Sequence, residues 1–204
     1  MGRKICRKNR LFRLQIFRRG ARFFADVVRR VIDFMVIGLP RSCTTWAANF
    51  FTTDKSICLH DPLYQHHYND LDKLKFPGKK LGVSCTGLWR FPQYLNSHPA
   101  PKIILRRPLT EVNGSMADIG LPSLSEVELF QLAGIQGEHY HFLDLFNPFY
   151  AGMMCSRIGL EFDVDRHAEL CQIEMQPKFS GLSISPEVTR TLIAELRAIS
   201  RGAE

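Results

Sequence analysis

Apolar residues along this chain fall into short runs rather than long stretches. Residues 34–37 (Phe-Met-Val-Ile), 57–59, 81–83 and 103–105 are three or four residues long. Gly, Pro or Asp-Pro follows most of them. Such runs between turn signals read as buried strands. The pattern predicts strands over 34–38, 55–60, 81–85, 102–105 and 139–145. Helical spacing lies between and after them, over 46–52, 64–74, 91–97, from Pro108 onward, 124–134, 148–158 and 186–201. Ser123 or Ser125 is placed to cap the 124–134 helix, and Gly159 to end the one before it. Strands alternating with helices define an α/β protein with a parallel sheet wound on both faces.

Charge divides the chain in two. Residues 1–30 hold eleven Lys/Arg against one acid, Asp26, which gives +10; the rest holds sixteen against nineteen, which gives −3. The formal charge of +7 therefore belongs to an arm, residues 1–32, ahead of a domain spanning 33–204. In the arm, Leu11, Leu14, Phe17, Ala21, Phe24, Val28 and Val31 recur at helical spacing, with Arg filling most other places. Three readings stand: a helix on an acidic membrane surface, a docking or nucleic-acid arm, or a segment peripheral to the fold. An acidic membrane surface ranks ahead of nucleic acid. Met35, just before the phosphate-type loop, also allows a start near the first strand. Hydrophobic content of 45% and charged content of 23% are those of a globular domain. No apolar run approaches the ~20 residues needed to cross a bilayer. The six Cys form no Cys-x-x-Cys pair, so reduced thiols in a cytoplasmic protein are the default expectation.

The chemistry concentrates at Gly38-Leu39-Pro40-Arg41-Ser42-Cys43-Thr44-Thr45-Trp46. A strand, a Gly/Pro/Ser loop and a helix start in that order form a phosphate-cradling arrangement. Against G-x-x-x-x-G-K-[ST], Cys43 replaces the second Gly and Thr44 the Lys. Loss of that Lys argues against ATP or GTP hydrolysis. Arg41 remains as the loop's fixed cation, with the hydroxyls of Thr44 and Thr45 and the loop amides beside it. A second block, Arg106-Arg107-Pro108 followed by Ser115, puts two guanidiniums at the end of the fourth strand. Arg forks match phosphate oxygens bidentately. Either Arg can serve; the one turned toward the loop is the candidate.

The first block resembles the 5′-phosphosulfate loop of the sulfotransferase family, roughly Pro-[Lys/Arg]-Ser-Gly-Thr-Thr-[Trp/Leu]. Pro40, Arg41, Ser42, Thr44, Thr45 and Trp46 match; Cys43 stands where the family has Gly. The second block resembles the family's 3′-phosphate motif. His60-Asp61-Pro62-Leu63 resembles the His-Glu-Pro block of bacterial members, and 158–162 resembles a helix end near the family's C-terminus. The resemblance spans about residues 33–180 and, since the Arg-Lys-Gly-x-x-Gly signature is absent, suggests a divergent bacterial or phage-type member. It implies a P-loop-like three-layer sandwich that uses 3′-phosphoadenosine 5′-phosphosulfate as co-substrate, with no metal. Gly38, Pro40, Arg41, Ser42, Cys43, Thr44, Thr45, Trp46, Arg106, Arg107 and Ser115 would hold it. Arg41 would stabilise the transferring group.

His60 and Asp61, at the end of the second strand, are the candidates for the base; an Asp-Pro turn and a structural histidine are the plainer readings of the same residues. His139 and His141 alternate on a strand without a third ligand nearby. Cys85 reads as a buried, inert thiol. The acceptor stays open: Phe76, Trp89, Phe91, Phe142 and Phe146 in the loops suit a lipid, aromatic or glycan. Beside the sulfotransferase stand two other expectations, a non-catalytic binding or assembly module and, behind it, a P-loop kinase.

Overall fold

The computed structural model describes residues 32–173. The basic arm up to residue 31 and the helix expected over 186–201 lie outside the described residues. Five strands, β1 (Phe34–Gly38), β2 (Ser56–His60), β3 (Lys80–Cys85), β4 (Lys102–Arg106) and β5 (Glu138–His141), form one sheet in the order β2-β3-β1-β4-β5. Every neighbouring pair is parallel. Six α-helices accompany them: α1 (Thr44–Phe50), α2 (Pro92–Ser97), α3 (Leu109–Ala117), α4 (Glu126–Ala133), α5 (Pro148–Arg157) and α6 (Val164–Cys171). The protein is thus a three-layer α/β sandwich, as the alternating pattern predicts.

Strand alternation explains the two cores. Met35, Ile37, Leu81, Val83, Cys85 and Ile104 face one way and pack against Leu95 of α2, Val112 and Met116 of α3, and Leu132 of α4. Phe34, Val36, Cys58, Ile103 and Leu105 face the other way, toward Trp46, Ala47 and Phe50 of α1 and Ala151, Met154 and Cys155 of α5. Every residue of β1 is buried, so the strand reads as a continuous apolar run rather than an alternating one. On that second face, β3 contributes Gly82 and Ser84, with Lys80 at the strand's start reaching out to the carbonyl of Gly159. The vacancy is filled from β1: Phe34 pairs with Gly82, and a Cβ built on Gly82 would lie 2.1 Å from its ring. Ser84 Oγ donates to the carbonyl of Thr44 at 2.8 Å and ties the start of α1 to the sheet.

Several boundaries differ from the sequence reading. Ile32, counted with the arm in the sequence reading, is fully buried in the first core. The 64–74 stretch is not one helix but two short 3-10 pieces, Pro62–Tyr64 and Tyr68–Lys73. The fifth strand stops at His141: its Nδ1 accepts from Leu143 N, Asp144 caps back onto His141 N, and a 3-10 turn covers Phe142–Phe146. Of the two proposed caps for the 124–134 helix, Ser125 is the one used, in a capping box with Glu128. Helix α6 has no counterpart in the sequence reading. Among the described residues, no helix is long and apolar enough to cross a membrane.

Candidate functional site

The connection after β1 leads to α1 on one face, and the connection after β4 leads to α3 on the other. Because β1 and β4 are neighbours, a crevice opens between their carboxyl ends. Open α/β sheets bind ligands at such switch points. Both sequence motifs meet there.

Gly38 ends β1 in a tight spot. A Cβ on it would sit 3.3 Å from Ser42 Cβ and 3.3 Å from Thr44 Cγ2, so a side chain there would push the folded-back loop outward by a few tenths of an ångström. The loop then alternates in handedness. Arg41 (φ 65°) and Cys43 (φ 61°, ψ 23°) are left-handed, with Ser42 between them. Such alternation turns successive amides toward one concave side, an anion-binding shape. The amides of residues 41–45 donate to no protein acceptor among the described residues. Ser42 Oγ is buried, with no hydrogen-bond partner among them either. The helix that follows has seven residues, so the guanidiniums, not its dipole, supply most of the positive potential.

Those guanidiniums converge. Arg41 Nε donates to Ser115 Oγ at 2.8 Å, bridging the loop to the second turn of α3. Arg107 Nη1 donates to the carbonyl of Arg41. Glu111 accepts from Arg107 Nε at 3.2 Å, and the Arg107 guanidinium lies 4.5 Å from the centre of the Phe142 ring. Arg107 is therefore fixed on three sides while facing the loop. Arg106 turns the other way: it is exposed and its Nε donates to His139 Nδ1 at 2.8 Å. Of the two, Arg107 is the one whose side chain turns toward the loop. Cys43 lies in the field of both Arg107 and Arg41, yet burial outweighs them and raises its thiol pKa.

Across the loop, His60 Nε2 lies 3.1 Å from Thr45 Oγ1, 3.3 Å from Thr44 Oγ1 and 3.4 Å from Asp61 Oδ2. One ring nitrogen carries either a proton or a lone pair, so it accepts from a threonine in one tautomer and donates to Asp61 in the other. Asp61 is buried at φ 43° and heads the turn Pro62–Tyr64. Its Oδ1 accepts from Thr86 N at 2.5 Å and both oxygens accept from Thr86 Oγ1 at 3.0 Å. The carboxylate thereby clamps the ends of β2 and β3 together. Asp61 thus both heads a turn and lies beside His60 at the loop.

Some residues of the sequence constellation point elsewhere. Trp46 is buried behind the loop, stacked on Phe50 and beside Phe146 and His167, and its Nε1 donates to Leu170 O at 3.1 Å. Its ring braces the loop from behind and offers no face to the cradle. Cys85 is buried and its thiol is pushed up to about 12 by burial, so it stays protonated. Among the described residues, no three His, Cys, Asp or Glu form a metal-holding group.

A cleft of about 380 Å³ adjoins the loop, lined by Pro40, Asp61, Tyr64, Thr86, Arg90 and Phe91. Of the five loop aromatics expected to form an acceptor surface, only Phe91 lines it. Trp89 is buried, and Phe142 sits under Arg107. Arg90 and Tyr64 escaped the sequence reading, because nothing in their immediate spacing marks them.

Fold and site together define a three-layer α/β protein with a left-handed loop and two guanidiniums at a sheet switch point. No protein-family model matches the chain, and no curated protein matches its sequence. Among solved structures it is similar to mouse sulfotransferase SULT7A1 complexed with PAP, at 14% identity and a TM-score of 0.46. The match covers 70% of this chain and 63% of the mouse protein, so the chain spans less than two thirds of the structure it matches.

Proposed function

We propose that the protein is a sulfotransferase, moving a sulfuryl group from 3′-phosphoadenosine 5′-phosphosulfate to an acceptor hydroxyl or amine. The observation that carries this reading is the linkage of Arg41, Ser115 and Arg107 across the β1/β4 crevice. It joins two separate motifs into one site with two fixed cations. A donor with anionic groups at both its 5′ and 3′ ends needs such a pair. The donor set fits: two guanidiniums, two threonine hydroxyls, loop amides with no protein acceptor among the described residues, and the orphaned Ser42 hydroxyl.

In the proposed step with a hydroxyl, the acceptor oxygen forms a bond to sulfur as the bond from sulfur to the leaving phosphate oxygen breaks. Arg41, Thr44 and Thr45 carry the charge that develops on the transferring group. The acceptor proton passes to His60 Nε2, and Asp61 steadies the resulting imidazolium. Asp61 is already held by Thr86 N and by the Thr86 hydroxyl shared between its two oxygens, so its part is to orient and steady His60. No metal enters this scheme.

A second reading is favoured by one observation. Cys43 holds a left-handed backbone that costs a residue with a Cβ about 1 kcal/mol. A descendant that binds the nucleotide without turning it over would tolerate that cost.

Calorimetric titration of adenosine 3′,5′-bisphosphate, alongside Mg-ATP, tests both readings. Micromolar binding of the bisphosphate is expected, unmatched by ATP and weakened about 10- to 100-fold in Arg41→Ala and Arg107→Ala, the worth of a charge-assisted bond. Arg106→Ala is expected to bind like wild type. Failure to bind the bisphosphate would rule out the sulfotransferase reading; binding without any sulfuryl turnover would leave the second.

A further inference from the structure

The cleft beside the loop carries a feature that nothing in the phosphate cradle explains. Arg90 lines it, at the end of the turn Leu88–Arg90. Its guanidinium lies 5.0 Å from the centre of the Trp89 ring. Trp89 is buried, and its Nε1 donates to Thr86 O at 2.7 Å, so the plate under the cation is fixed. Among the described residues, the Arg90 guanidinium makes no hydrogen bond and no ion pair. The acid whose titration feels it, Glu128, is already engaged by Ser125 N at 2.9 Å and by Ser125 Oγ. Arg41 and Arg107 are bound into the loop; Arg90 is a pre-positioned cation that the fold leaves uncommitted.

The walls of the cleft are aromatic. Phe91 is held rigid, its ring stacked on Tyr68 at 4.2 Å with an interplanar angle of 29°. Tyr64 is 88% exposed, an unusual placement for a large ring, and lines the cleft from the Asp61 side. Asp61, neighbour of the proposed base, also lines the cleft. A volume of about 380 Å³ lies toward the small end of ligand pockets and suits a one- or two-ring molecule.

We propose that the acceptor is a small hydroxylated ring bearing an anionic substituent, and that Arg90 is the residue that selects it. This rests on the sulfotransferase reading and names its acceptor class. The ring lies between Tyr64 and Phe91, its anionic group pairs with Arg90, and its hydroxyl points toward Asp61 and His60. Stacking supplies sequence-independent affinity and the guanidinium supplies the discrimination. Neutral lipids and cationic amines are disfavoured acceptors.

The test is direct binding, by calorimetry, of three probes matched in size: 4-hydroxybenzoate, its neutral isostere 4-hydroxybenzamide, and the cationic tyramine. Wild type is expected to bind the benzoate at least tenfold more tightly than the amide. Arg90→Ala equalises the two, and Arg90→Glu reverses the order in favour of tyramine. Tyr64→Ala weakens benzoate and amide alike. Thermal melting of each variant shows whether it remains folded. Equal wild-type affinity for the three probes, or binding of none, overturns the proposal. The bisphosphate titration reports on the loop without touching Arg90. Anion selectivity without bisphosphate binding would therefore remove the donor and keep the cleft, and the converse outcome would do the reverse.

Discussion

Cys43 concentrates the tension of this site in one residue. It takes the left-handed conformation that glycine adopts freely, and its side chain packs against the second core. Cys43→Gly relieves the backbone cost but gives up that packing and adds unfolded-state entropy. The net expectation is a stabilisation of about 1 kcal/mol or less, a rise of about 2 °C in melting temperature for a chain of this size. Cys43→Val, with a β-branched residue at positive φ, is expected to lower the melting temperature instead. Differential scanning calorimetry of the two variants checks the sign of each. If both changes left the melting temperature alone, the left-handed geometry at residue 43 would carry no cost.

Elements were legible wherever one residue type settles the local conformation. The apolar runs found β1 to β4, because β1 and β4 are buried on both faces and need no polar alternation; the polar β5, Glu-His-Tyr-His, carries no such run and was expected too far along the chain. The motif glycine Gly38, the Pro at 108 and the cap at Ser125 set boundaries that the structure keeps. Long-range contacts settled what spacing could not. Which of Arg106 and Arg107 faces the loop depends on the strand register, which sends Arg106 toward β5 and His139. Helix α6 was missed because its sequence, Val164 to Cys171, is short and only half apolar, with no run of apolar residues. It is held instead by the capping Asp163 and by His167, whose Nε2 lies 2.8 Å from Leu145 O. Asp61 looked like a turn residue, and its grip on Thr86 became visible only once β2 and β3 were side by side.

The sheet also predicts a sharp intolerance at this scale. Gly82→Ala forces a methyl to 2.1 Å from the buried ring of Phe34. Overpacking of that kind is expected to destabilise by about 2–3 kcal/mol, read as a fall in the urea midpoint. Phe34→Leu made together with it should recover part of that loss. If the double variant were as unstable as the sum of the singles, the two positions would not share the space.

At the scale of the whole molecule, burial couples folding to alkaline pH. The thiols of Cys85 and Cys155 are each raised to about 12 by burial, and that of Cys58 is raised further. Their folded pKa values lie above the unfolded value of 9.0. The folded state therefore holds protons that the unfolded chain releases. Their stabilising share is complete below pH 9 and is lost as pH rises toward 12. Lys102, whose pKa burial lowers, acts in the opposite sense: its share grows as pH rises toward 10.5. Three thiols outweigh one amine. Stability is expected to fall by a few kcal/mol between pH 8 and pH 10, at about 1 kcal/mol per thiol. Urea denaturation at the two pH values measures it, and an unchanged midpoint would show that the thiols open to solvent.

The partnership between Trp46 and Leu170 sets an order on the birth of the molecule. Arg166 Nη2 also donates to the carbonyls of Asn49 and Thr52, both at 2.8 Å, closing the far end of α1. The cradle for the donor lies near residue 40, but the braces behind it lie 124 residues downstream of Trp46. At roughly 5–20 residues per second, a ribosome needs about 6–25 s to synthesise that interval. The loop at the start of the domain is thus among the first parts to be made and among the last to be secured.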